Sequence, residues 1–148
     1  MITKRLVVLF TLIVIGLAPA LRADNGCAAT TMNGAYGFSG SGVDIVHKSG
    51  SPAGSQALAP VAFVGTLSFA GDGIVSGSFT ATGNGHKENG VPFKGAYVVN
   101  ADCTGSIALV ENNGAESHFA VTITDSGNEI LAIQTDPGAA RTFVIKKQ

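Results

Sequence analysis

Charge is scarce in this chain. Asp, Glu, Lys and Arg make up 13% of its 148 residues. Beyond the first five residues, adjacent basic side chains occur only at Lys146 and Lys147, a solvated tail rather than a binding patch. Nucleic acid is therefore not an expected partner, because phosphate contacts need grouped Lys and Arg. Tryptophan is absent, and cysteine is limited to Cys27 and Cys103. With no Cys-x-x-Cys, thioredoxin-like redox chemistry lacks its motif. The three histidines, His47, His86 and His118, are far apart, and none has a second ligand at helical or hairpin spacing. No metal site and no cofactor is expected from that pattern.

Catalytic signatures are missing too. There is no Gly-x-Ser-x-Gly to form a nucleophile elbow. The glycine-rich segment 34–42 lacks the Lys-Ser/Thr pair and following helix of a phosphate loop. Asp72-Gly73 lacks the further acidic residues of a calcium loop. Asp72, Asp102, Glu111, Asp125 and Asp136 fall in turns, where Asp bonds its own backbone and tolerates unusual dihedrals. No segment carries a helical apolar stripe.

What is present begins with an export signal. Lys4 and Arg5 precede an uncharged apolar run, Leu6 to Leu17, and small residues follow at Ala18-Pro19-Ala20 and Ala23. That is the order of a secretory signal peptide, and the run is short for a bilayer span. Cleavage after Ala20 or Ala23 fits, with Ala23 preferred, so residues 1–23 are read as signal and 24–148 as one mature domain. A retained N-terminal anchor is the other reading. Asp24 and Asn25 ahead of Cys27 argue against lipidation. Cleavage removes Lys4, Arg5 and Arg22, so nine basic residues become six against ten acidic, a net charge of −4. The product is expected to be secreted or periplasmic, with no membrane association after cleavage. In such an oxidising compartment Cys27 and Cys103 are expected to form one disulfide closing a long loop.

The mature chain reads as eight short strands. They start at Asn33, Pro60, Ile74, Val91, Cys103, Ala115, Glu129 and Arg141, separated by Gly, Asn and Asp clusters. Val61, Phe63, Leu67 and Phe69 share one face at period two, as do Val75, Gly77, Phe79 and Ala81. Val91, Phe93, Gly95, Tyr97 and Val99 form a third such set, and Phe119, Val121 and Ile123 a fourth. Ser49 to Ala57 is the longest irregular segment, and Asn84 to Gly90 reads as a polar loop. Such a meander is all-β and hides its edges by closing into an up-and-down barrel or by folding as a sandwich. Mid-strand glycines at Gly37, Gly65, Gly77, Gly95 and Gly105 favour the strong coiling of a small barrel.

Three motifs carry a resemblance. Asn33-Gly-Ala-Tyr-Gly-Phe, Gly95-Ala-Tyr-Val-Val-Asn-Ala-Asp-Cys-Thr-Gly and Ile133-Gln-Thr-Asp-Pro-Gly resemble a family of small secreted bacterial β-proteins of uncharacterised function. The likeness covers nearly the whole mature chain. The eight-strand layout also resembles calycin-type barrels, including lipocalins and allene oxide cyclase-like barrels, although no Trp exists here to supply the lipocalin Gly-x-Trp opening.

The candidate site follows from the apolar faces. Phe63, Leu67, Phe79, Phe93 and Tyr97 would line an interior able to take a small apolar ligand. Gln134 and Arg141 are polar residues within apolar strand patterns near the Asp136-Pro137-Gly138 turn. The commoner situation is an outward side chain on an alternating strand. If inward, they would fix a ligand's orientation at a barrel mouth. His118, in phase opposite to Phe119, is expected to face solvent. The first functional reading is a noncatalytic secreted barrel binding a small apolar ligand. The second is a barrel cyclase or isomerase that confines an apolar substrate. The third is a structural or surface-interaction protein.

Overall fold

The computed structural model describes residues 26–47 and 56–148, which form a closed antiparallel barrel. Its strands are β1 Asn33–His47, β2 Gln56–Ala70, β3 Ile74–Gly83, β4 His86–Val99, β5 Thr104–Glu111, β6 Glu116–Thr124, β7 Glu129–Gln134 and β8 Ala139–Lys147. Each pairs with its sequence neighbours, and β8 returns to β1 from Tyr36↔Lys147 to Asp44↔Ala139. That last pairing sets the sandwich aside, since closure leaves no free sheet edge. The export signal expected over residues 1–23 lies outside the described residues, as do residues 48–55 from the irregular stretch.

Alternation decides what faces inward. Leu67, Phe69, Val75, Phe93, Tyr97, Ile107, Val121 and Ile123 are buried, while Ser68, Ser76, Lys94, Val98 and Thr122 between them are exposed. Interior glycines make room for the larger rings. A Cβ on Gly40 would strike the Phe143 ring, one on Gly65 the Phe38 ring, and one on Gly77 the Phe93 ring. Gly37, by contrast, falls on the outer face beside the Gln148 side chain, so its place in the glycine argument belongs to Gly40 and Gly42.

The polar loop expected over Asn84–Gly90 is instead the tip of a long hairpin. Gly83↔His86, Thr82↔Lys87 and Ala81↔Glu88 pair, and the register shifts between Phe79 and Ala81. Asn84 and Gly85 turn the chain with φ of 49° and 79°, the left-handed pair that a two-residue hairpin favours. Residues 84–90 are exposed on both faces. With no face toward the core, this ribbon carries no apolar alternation, which is why it reads as loop. Similarly, β2 already begins at Gln56, within the segment read as irregular.

One end of the barrel is plugged. A single 3-10 turn, Ala29–Thr31, and the fully buried Met32 fold across it. The Tyr97 hydroxyl lies 3.0 Å from the carbonyl oxygens of Ala29 and Met32, and the Tyr36 hydroxyl donates to the Gly127 carbonyl at 2.7 Å. Phe69 packs edge-on between both rings, at 5.2 Å from Tyr36 and 5.1 Å from Tyr97. Burial pushes the Tyr36 phenol above its ordinary pKa. The Cys27–Cys103 disulfide ties the plug to the β4–β5 turn, and the Cys27 N–H donates to Ala101. The C-terminal Gln148 lies at the same end, its N–H donating to Ala35.

Tyr97→Phe tests the plug. It keeps the ring but leaves two carbonyls without their donor, so a loss of about 1–2 kcal/mol is expected in urea unfolding. An unchanged midpoint would mean that packing alone holds residues 26–32 in place.

Candidate functional site

At the opposite end the strands enclose a cavity of about 80 Å³. Among the described residues, Phe38, Phe63, Phe79, Phe93, Phe119 and Phe143 line it, backed by Leu67, Ile107, Leu109 and Ala132. The rings form a connected wall. Phe143 lies 5.5 Å from Phe63, 5.4 Å from Phe119 and 6.2 Å from Phe38. Phe63 continues to Phe79 at 5.9 Å, and Phe79 stacks on Phe93 at 6.2 Å. These centroid separations and tilted geometries are those at which aromatic pairs attract.

A chain of polar side chains crosses this end. The Arg141 guanidinium donates from Nε and Nη2 to both carboxylate oxygens of Asp44, at 2.7 and 2.6 Å. Its Nη1 donates to Gln134 Oε1 at 3.2 Å, and its carbon sits 4.9 Å from the Phe63 ring centre. Gln134 Nε2 donates to Asp136 Oδ2 at 2.8 Å. Asp136 also accepts the His118 backbone N–H at 2.8 Å, and its Oδ1 lies 2.8 Å from His118 Nδ1. Among the described residues, each buried side-chain polar atom thus has a partner, as burial requires.

The structure sorts the residues expected from sequence. Phe63, Leu67, Phe79 and Phe93 line the cavity, and so do Gln134 and Arg141. Gln134, at 8% exposure, points inward despite its polarity. Tyr97 does not join them. It lies on the same inner face but at the plugged end, where its hydroxyl holds residues 29 and 32. His118 points to solvent, its side chain 53% exposed, because Phe119 takes the inward phase.

Several lining residues escaped the sequence reading. Phe143 is in phase with Arg141 and Ile145, so the alternation of β8 was the available signal. Phe38 shares its phase with Tyr36. Asp44 meets Arg141 across 97 residues, a pairing fixed by the β1–β8 register, for which no local signal exists. Glu111 and Ser117 also line the cavity, though turn chemistry alone accounts for an acidic residue at that position in the sequence.

Asp136 sets an expected pH dependence. Partial burial would raise its pKa, but the hydrogen bonds from the His118 backbone, the Gln134 amide and the His118 ring outweigh it and hold the value at about 2. A carboxyl depressed on folding adds stability above its unfolded value of 3.8, lost as pH falls through about 2. Asp136→Asn should therefore unfold with a shallower dependence on pH between those values than the parent. Parallel acid-unfolding curves for the two proteins would rule that out.

Fold and site together define a small closed β-barrel with one plugged end and one aromatic-lined end. No family model matches the chain, and no curated protein matches it. Solved structures do resemble it. One is a redesigned β-barrel, 14% identical, covering 82% of this chain and 95% of that one with a TM-score of 0.52. Another is a de novo designed fluorescence-activating β-barrel, 13% identical, covering 81% and 96% with a TM-score of 0.51. At such identity the likeness shows the barrel fold alone.

Proposed function

We propose that this protein is an exported, noncatalytic barrel that takes a small apolar ligand among the phenylalanines at its unplugged end. The observation that carries this reading is the convergence of six rings on one cavity, rimmed by the Arg141–Gln134 pair. Apolar walls with a few placed polar groups are the usual make-up of a ligand site. The order N-terminal basic residues, apolar run, small residues supports export, as does the Cys27–Cys103 bond, which suits an oxidising compartment. Membership of the small secreted bacterial family suggested by the three motifs is part of the same proposal.

Size limits the ligand. Pockets for drug-sized molecules span roughly 300–1,000 Å³, well above the 80 Å³ found here. An eight-stranded barrel has an interior just wide enough for side chains or one small guest. The ligand is therefore on the scale of one aromatic ring or a short chain. The test is titration with an environment-sensitive apolar dye of that size. Saturable binding is expected for the parent, weakened at least tenfold by Ala132→Phe, whose new ring would occupy the cavity. A parent protein that shows no saturation would sink the proposal.

A further inference from the structure

We infer that the ligand carries a protonated amine, so that the site takes a small arylalkylammonium in preference to a neutral or anionic molecule of equal size. This rests on the proposed binding role and assigns the ligand's head group. The polar groups lining the cavity divide into two sets. Arg141 and Gln134 are committed to each other, to Asp44 and to Asp136. The guanidinium is engaged by a bidentate carboxylate, so it offers an incoming carboxylate little without the loss of that pair.

The second set is Glu111 and Ser117. Glu111 ends β5 and Ser117 lies on β6 opposite Leu109, so both inward side chains stand side by side on one wall. Glu111 Oε2 accepts from Asn113 at 3.2 Å, whereas Oε1 accepts no hydrogen bond among the described residues. The Ser117 hydroxyl has no side-chain partner there either. What the cavity offers a guest is a carboxylate oxygen and a hydroxyl oxygen, both able to accept. An ammonium supplies the matching donors, and a charge-assisted bond is the stronger kind. A carboxylate head would instead meet Glu111 as a like charge in a partly desolvated site.

Three probes with one phenyl ring and similar length separate the cases: phenethylamine, phenethyl alcohol and hydrocinnamate, titrated calorimetrically at neutral pH. Phenethylamine should bind at least about tenfold more tightly than hydrocinnamate, the size of one charge-assisted hydrogen bond. Glu111→Gln, which keeps the shape and the Asn113 contact, should remove that preference and bring the amine's affinity down to that of the alcohol in the same variant. Equal or tighter binding of hydrocinnamate would overturn the inference and leave the apolar-ligand reading standing. A preference that survives Glu111→Gln would overturn the assigned head-group position. If no probe binds but the apolar dye does, the amine assignment falls alone. If the dye fails too, both readings fall.

Discussion

Gly95→Val is expected to lower the thermal midpoint by roughly 10 °C or more, the largest effect of any single substitution considered. Gly95 faces inward on β4 opposite Leu109 of β5. A Cβ there would fall on the Ala108 carbonyl oxygen and crowd the Leu109 Cα. Both are backbone atoms, so no side chain can swing aside. Relief requires prising β4 from β5, which breaks ladder hydrogen bonds in a sheet that has no slack edge. Overpacking ordinarily costs about 1–3 kcal/mol, and a clash with backbone belongs at or above the top of that range. For a domain of this size about 3 kcal/mol corresponds to the stated shift. Ala96→Val, one residue on and facing solvent, should change the midpoint little. Equal midpoints for the two variants would show that β4 and β5 do not approach as closely as described.

Removing the disulfide should have a comparable effect by a different route. Cys27 and Cys103 are 76 residues apart in sequence. Releasing a closed loop of that length enlarges the unfolded ensemble by about 4 kcal/mol in the chain-entropy account. The paired Cys27→Ser and Cys103→Ser variant is thus expected to unfold at a clearly lower urea concentration. Locally, residues 26–32 should lose amide-exchange protection before the strands do, since the plug then depends on the Cys27 N–H bond and the Tyr97 hydroxyl. Combining this variant with Tyr97→Phe should be more than additive for plug opening, because both act on the same segment. Unchanged protection of residues 26–32 would show that the covalent tie is redundant.

The sequence was most readable where one face of a strand meets the core and the other meets water. Val61, Phe63, Leu67 and Phe69, and the run Val91 to Val99, carry their orientation in period-two alternation, so the barrel wall followed directly. Cysteine usage likewise announced its own pairing. Legibility failed where alternation has no cause. The hairpin tip over residues 84–90 is exposed on both faces, so it reads as loop although His86 to Glu88 pair with β3. Tyr97 illustrates a second limit, since phase tells inward from outward but not which end of the barrel a residue occupies. The polar rim shows a third. Arg141, Asp44, Gln134 and Asp136 come from three strand regions whose meeting depends on β1 closing against β8. Nothing local to Asp44 in the chain encodes its partner.

The C-terminal Gln148 lies at the plugged end, its N–H donating to Ala35, while the Arg141–Gln134 rim lies at the other end. An extension joined to Gln148 departs from that pole. Immobilised through a C-terminal tether, the protein would hold its aromatic mouth toward the bulk solution, unobstructed by whatever it is attached to. The same geometry lets a fusion partner or an anchoring segment be appended without standing in the path of an entering guest.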